Sequence, residues 1–109
     1  MAFFGENSCD AWVNFVGTGT VSIRDSFNVS SITDHATGEY SVTFSTAFSN
    51  NDYCAVADAG GTSGIPTTKI TTTDEADFFT TKIQYQVLST VSNGAMDNNI
   101  NTIIFIGDN

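Results

Sequence analysis

An all-β fold is what this chain of 109 residues predicts: a single small antiparallel β-sandwich or open barrel of about seven or eight strands. Three observations predict it. Thr, Ser and Asn make up about a third of the chain while Leu, Lys and Arg are scarce, and Thr with Val, Ile, Phe and Tyr favours strands as Asn, Ser and Gly favour turns. Apolar and polar residues alternate with the period of two that half-buried strands require. The alternating stretches recur at roughly ten-residue spacing, separated by turn residues, which is the rhythm of a sandwich or barrel. A chain of this length forms one domain with one modest core, burying roughly 60–70% of its unfolded surface.

Residues 1–10 read as a short N-terminal arm, with Phe3 and Phe4 as a candidate docking pair, and residues 11–109 as a single β domain. In "AWVNFV" both faces are partly apolar, which suits a strand covered on both sides. "GTGT" is a turn, with Gly17 and Gly19 at the positive φ of a tight reversal. "TVSIR" and "DSFNV" continue the alternation through Val21, Ile23, Phe27 and Val29. "SITDHATGEY" reads as a hairpin with "DHATG" as its turn and Gly38 in the left-handed position. "EYSVTFSTAF" is the clearest strand: Tyr40, Val42, Phe44 and Phe48 share one face, and Ser41, Thr43 and Ser45 the other. "SNNDY" turns the chain into the short strand "YCAVA". Residues 58–68, "DAGGTSGIPTT", carry the sole Pro and read as a glycine-rich surface loop. "KITTT" is a polar strand, and "TDEADFF" one helical turn capped by Thr73 or Asp74. "TKIQYQVLS" alternates through Ile83, Tyr85 and Val87, "NGAMDNNIN" is a loop, and "TIIFI" a final, fully buried strand.

The net charge of −9 excludes nucleic-acid binding, which needs Lys and Arg to displace counterions from phosphate. It also sets the surface against anionic membranes, and no stretch approaches the roughly 18 continuous apolar residues of a spanning helix. The start "MAFFGENSCD" lacks the basic and apolar regions of an export signal. With no such signal, Cys9 and Cys54 fit small buried thiols better than a disulfide framework, a bridge between them being the alternative.

No catalytic or metal constellation stands out, and no cofactor is implied. His35 beside Asp34 lies in a turn flanked by Ala and Gly, a poor place for the rigid, buried pair that a Ser-His-Asp enzyme needs. An exposed turn His is the simpler account. "DEAD" at 74–77 has no phosphate-binding Gly-Lys-Ser/Thr run beside it. Asp74, Glu75 and Asp77 fit helix-start acids; they lack the alternating spacing of an EF-hand loop, and a standard zinc pattern is absent too. Glycan hydrolysis needs two carboxylates facing each other in a cleft, whereas the acids here lie mostly at turns and strand ends. Asn28-Val29-Ser30 has the form of an N-glycosylation acceptor, a triplet that arises by chance in so Asn- and Ser-rich a chain. Trp12, Phe15, Phe27, Tyr40, Phe44 and Phe48 sit at strand spacing and read mostly as core. Trp12 stays open: exposed beside Asn and Asp, it would make a sugar platform.

The segments "AWVNF", "GTGTV", "IRDSFNVSSITD" and "TGEYSVTF" resemble a recurring module of tailed-phage virion proteins, found in the host-facing terminal portions of tail fibres and in related virion surface proteins. The resemblance covers about a third of the chain; the later half, with "DNNINTIIFIGDN", matches only in general style. It implies a β-rich structural module without catalytic chemistry, usually trimeric, made in the host cytoplasm and carried on the virion surface. Its partners would be further copies of itself, other phage virion proteins, and a host surface glycan or protein. A fibre has a long attachment region before such a module, whereas here the module starts close to Met1, which makes a capsid decoration protein the alternative reading. A carbohydrate-binding domain is a second alternative. The candidate partner-facing loop residues are Asp58, Gly60, Gly61, Thr62 and Ser63 in one loop, and Asn93, Asp97, Asn98 and Asn99 in another.

Overall fold

Among the described residues, eight strands carry the alternation into two sheets. They are β1 (Ala11–Val16), β2 (Ser22–Phe27), β3 (Val29–Ala36), β4 (Glu39–Phe44), β5 (Cys54–Gly60), β6 (Thr68–Thr71), β7 (Lys82–Ser89) and β8 (Ile100–Ile106). The structure, a computed structural model, describes residues 10–60, 68–71, 77–89, 94–95 and 97–107. One sheet has the order β2-β1-β8-β5 and the other β3-β4-β7-β6, with every neighbouring pair antiparallel. The fold is a small antiparallel β-sandwich.

The four inner strands supply most of the core. Ala11, Val13 and Phe15 of β1 and Ile103 and Phe105 of β8 face Tyr40, Val42 and Phe44 of β4 and Ile83, Tyr85 and Val87 of β7, all buried. Each large side chain removed from water contributes about 1.5–3 kcal/mol, so this double layer is the main favourable term. The edge strands give less: Ile23, Ile32 and Ala55, Ala57 and Ala59 are only partly buried against the core.

The two ends of the sandwich are closed differently. At one end, Phe44, Phe48, Tyr53, Phe78 and Phe105 interlock, with Phe48 stacked on Tyr53 at 4.5 Å and Phe44 edge-on to Phe105 at 4.9 Å. At the other end, a polar network takes over. The Tyr40 hydroxyl donates to Asp97 Oδ1 at 2.6 Å and lies 3.0 Å from the Gly17 carbonyl. Gly38 N–H donates to the same carboxylate at 2.8 Å. Asn101 Nδ2 donates to the carbonyls of Phe15 and Asn98, and Gly17 N–H donates to the Asn98 carbonyl at 2.9 Å. These bonds fasten the turns after β1 and β3 to the segment entering β8.

Asn28 makes the corner where the chain crosses from β2 to β3. Its φ of 57° is left-handed, a region that Asn tolerates better than most residues. Its amide secures the corner: Nδ2 donates to the carbonyls of Asp10 and Thr46, and Oδ1 accepts from Thr46 N–H at 2.6 Å. Both amide hydrogens are therefore in use, and the Asn28 triplet is a corner clamp in this fold.

Several expectations need correction. Gly17 does not have positive φ; only Gly19, at +63°, supplies it in that turn. Gly17 is needed for space, because a Cβ there would lie 2.6 Å from the Tyr40 hydroxyl and 2.8 Å from Asn101 Nδ2. Gly38 takes the left-handed position as expected, with φ of 70°. The β3 strand nevertheless runs through His35 to Ala36, so His35 is on the strand instead of in the turn. The strand after Tyr53 continues to Gly60, which places Asp58 and Gly60 in β5. In β8 only alternate residues are buried: Ile104 is 48% exposed and Ile106 60% exposed. The helical turn expected over "TDEADFF" falls largely outside the described residues.

Candidate functional site

Strand register assembles the outer face of the β2-β1-β8-β5 sheet row by row. Phe27 pairs with Trp12, Trp12 with Ile104, and Ile104 with Val56. The next row toward the polar end runs Asp25, Asn14, Thr102, Asp58. Toward the aromatic end, Ile106 pairs with Cys54. The outcome is an apolar band crossing four strands, with Trp12 and Phe27 half-buried and Val56 72% exposed beside Ile104 and Ile106. Single exposed apolar residues are ordinary, whereas these fall together in one contiguous band on an otherwise acidic molecule. Asn14 in the adjacent row accepts from Arg24 Nη1 at 3.0 Å, where a bulge in β2 leaves Arg24 between the paired residues.

The outer face of the second sheet is polar. Ser31 pairs with Thr43 and Thr33 with Ser41, then Thr43 with Lys82, Ser41 with Gln84 and Glu39 with Gln86. A shallow groove of about 220 Å³ crosses it, lined by His35, Glu39, Tyr40, Asp77, Gln84, Tyr85 and Gln86. Within it, His35 Nε2 lies 2.7 Å from Ser41 Oγ. Ser41 is only 2% exposed, so this contact ties β3 to β4 and does not present a nucleophile to solvent. Among the described residues no group of three His, Cys, Asp or Glu side chains gathers that could hold a metal ion.

The three core tyrosines are strongly biased toward their neutral form. Burial raises Tyr40 well above the usual phenol range, helped by the hydrogen bond to Asp97 and the charges of Asp97 and Asp34. Burial pushes Tyr53 up to about 12. Tyr85 is raised furthest, by burial and then by Tyr40, and its hydroxyl is buried with no hydrogen-bond partner among the described residues.

The candidate residues from the sequence do not converge. Asp58 is exposed on the outer face of β5, beside the apolar band. Asn98 is fully buried, and the Asp97 carboxylate is occupied by Tyr40 and Gly38, so these two anchor their own loop. Asn99 is exposed and accepts a hydrogen bond from the Thr18 hydroxyl at 2.6 Å. Gly61, Thr62, Ser63, Asn93, Asp74, Glu75, Phe3, Phe4 and Cys9 lie outside the described residues. Cys54 is a free, exposed thiol rather than a buried one, because the alternate positions of β5, Ala55, Ala57 and Ala59, are the ones turned inward.

Val56, Ile104 and Ile106 were not among the sequence candidates. The signal that could have found them is the two-sided apolar character of "AWVNF", "YCAVA" and "TIIFI". Three such strands side by side require an apolar outer face, and only their adjacency in one sheet was hidden from the sequence. No protein-family profile, curated protein or solved structure matches the chain.

Proposed function

We propose that the chain is a non-catalytic structural module of a tailed-phage virion surface, of the tail-fibre type and working as a homotrimer. In this reading the outer face of the β2-β1-β8-β5 sheet is where it meets neighbouring copies or the particle. One observation carries the reading: the band of Val56, Ile104 and Ile106, left 72%, 48% and 60% exposed on a single sheet face. A small sandwich offers only one modest core, and association through such a face supplies further apolar burial. The resemblance of residues 11–48 to phage virion modules gives the setting. Capsid decoration uses the same face, turned toward the shell instead of toward sister subunits.

A carbohydrate-binding reading has one observation in its favour, Trp12 with Asn14 and Asp25 in the adjoining row. The most exposed members of the band are aliphatic, however, whereas sugar platforms rest on aromatic rings. Protein docking is the better fit. Labelling the chain and imaging purified virions tests the assignment: density at tail appendages supports the fibre-type role, density on the capsid lattice supports decoration instead, and absence from virions overturns both. Light scattering on the purified chain tests the assembly, a trimer being expected and a persistent monomer counting against it.

A further inference from the structure

We propose that three copies close head to tail around a threefold axis running along the strands, the β2 edge of each β2-β1-β8-β5 sheet lying beside the β5 edge of the next. The three apolar bands then fill the centre. Each joint sets Arg24 of one copy against Asp58 of its neighbour, and Phe27 against Val56. The inference rests on the homotrimer reading and names the residues that hold the trimer together.

Four observations lead to it. The first is strand direction. Each neighbouring pair in β2-β1-β8-β5 is antiparallel, so the two edge strands, β2 and β5, run in opposite senses. Rotation about an axis along the strands keeps those senses, and β2 of one copy meets β5 of the next as an antiparallel pair. Two different surfaces meet in this contact, the kind that closes into a ring. The second is row height. The same rotation leaves every row at its own level. Phe27 and Val56 end one row, and Asp25 and Asp58 end the next, so like-numbered rows join across each edge. Val56, 72% exposed, lies on an edge strand, where the Phe27 of a neighbour covers it.

The third is charge. Asp25 and Asp58 at one level repel unless a base stands between them, and the chain's only Arg is there. A bulge in β2 puts Arg24 next to Asp25. Among the described residues its guanidinium makes one hydrogen bond, to Asn14 Oδ1 at 3.0 Å, which leaves most of its N–H donors for carboxylates on both sides of the joint. Asp58 is exposed; its Oδ1 accepts from Ala59 N–H, and Oδ2 remains for the pair. The fourth is size. Four strands make a face about 19 Å wide, and a triangle of three such faces has its axis about 5.5 Å from each. Packed sheets lie about 10 Å apart, so side chains fill about 5 Å on each side. Three bands therefore reach the axis.

The test compares Arg24→Asp, and Arg24→Asp with Asp58→Arg, against the unaltered chain by light scattering on dilution, with circular dichroism as a check on folding. Both positions are exposed, so the β spectrum should not change. Arg24→Asp is expected to weaken the trimer at least tenfold, and the paired change to regain most of the loss. A trimer unaffected by Arg24→Asp, or no recovery in the pair, overturns the joint and leaves the trimer reading standing. A monomeric unaltered chain overturns both. Oxidation of Phe27→Cys/Val56→Cys in a Cys9→Ser/Cys54→Ser background is a second readout. Within one sheet β2 and β5 are about 14 Å apart, beyond the roughly 7 Å a disulfide allows, so bridges form only between copies. Denaturing gels should show a ladder that ends at the covalent trimer. A ladder ending at the dimer, one running past the trimer, or no cross-link contradicts the ring.

Discussion

The two sheets are alike inside and opposite outside. Both present Val, Ile, Phe and Tyr to the shared core. Outward, β3-β4-β7-β6 shows Ser31, Thr33, Gln84 and Gln86, the alternation that water on one side of an antiparallel sheet demands. Outward, β2-β1-β8-β5 shows Val56, Ile104 and Ile106, the pattern of a sheet buried on both sides. The lesson is that inner-face residues specify the fold while outer-face residues specify what the fold meets. The same strand can hold both kinds one residue apart.

The sharpest way to break this comparison is within β8. Phe105, fully buried and packed against Phe44 and Tyr53, should cost about 3–5 kcal/mol when changed to Ala. Ile104→Thr, one residue away, keeps a β-branched side chain on an exposed position and should shift stability by no more than about 0.5 kcal/mol. Urea unfolding of the two variants checks this; equal losses would mean that Ile104 is part of the core.

Next in size is the polar end. Gly17→Ala places a Cβ 2.6 Å from the Tyr40 hydroxyl, and overpacking of this kind costs about 1–3 kcal/mol. Tyr40→Phe removes the proton donated to Asp97 at 2.6 Å and should cost about 1.5–3 kcal/mol, the range for a hydrogen bond to a charged group. Because the two changes act on one network, the double variant should cost less than the sum of the single ones. Additive losses would show that the network does not act as a unit.

Alkali offers a gentler probe of the inner face. The folded chain holds the protons of Tyr40, Tyr53 and Tyr85 more tightly than the unfolded chain, which releases them near the ordinary 10. Their stabilisation is fully present below pH 10 and is lost as pH rises beyond it, the Tyr53 share through about 12 and the Tyr40 and Tyr85 shares at still higher pH. The urea midpoint should therefore fall over that window while tyrosinate absorbance lags behind that of free tyrosine. Ordinary titration near 10 with a flat midpoint would contradict the burial of these three rings.

Much of the inner face was legible in the sequence, because period-two alternation through Tyr40, Val42 and Phe44, and through Ile83, Tyr85 and Val87, is a local signal. The Gly38 turn was legible for the same reason, since a tight reversal writes its requirement on one residue. What stayed hidden depends on contacts distant in sequence. Gly17 is fixed by Tyr40 and Asn101, and Asn28 by Asp10 and Thr46; neither constraint leaves a mark on neighbouring residues. The apolar band was hidden because β1, β5 and β8 become neighbours only once the sheet forms. An apolar run such as "TIIFI" reads as a doubly buried strand until its outer side is seen uncovered.

The most direct test of the proposed docking face is a pair of matched double variants assayed for retention on purified particles by co-sedimentation. Val56→Asp/Ile104→Asp places two charges in the apolar band, and Ser31→Asp/Thr33→Asp places the same two charges on the polar face. If the band is the docking surface, the first pair is lost from the particles and the second is retained. Retention of both pairs, or loss of the polar-face pair alone, would contradict it.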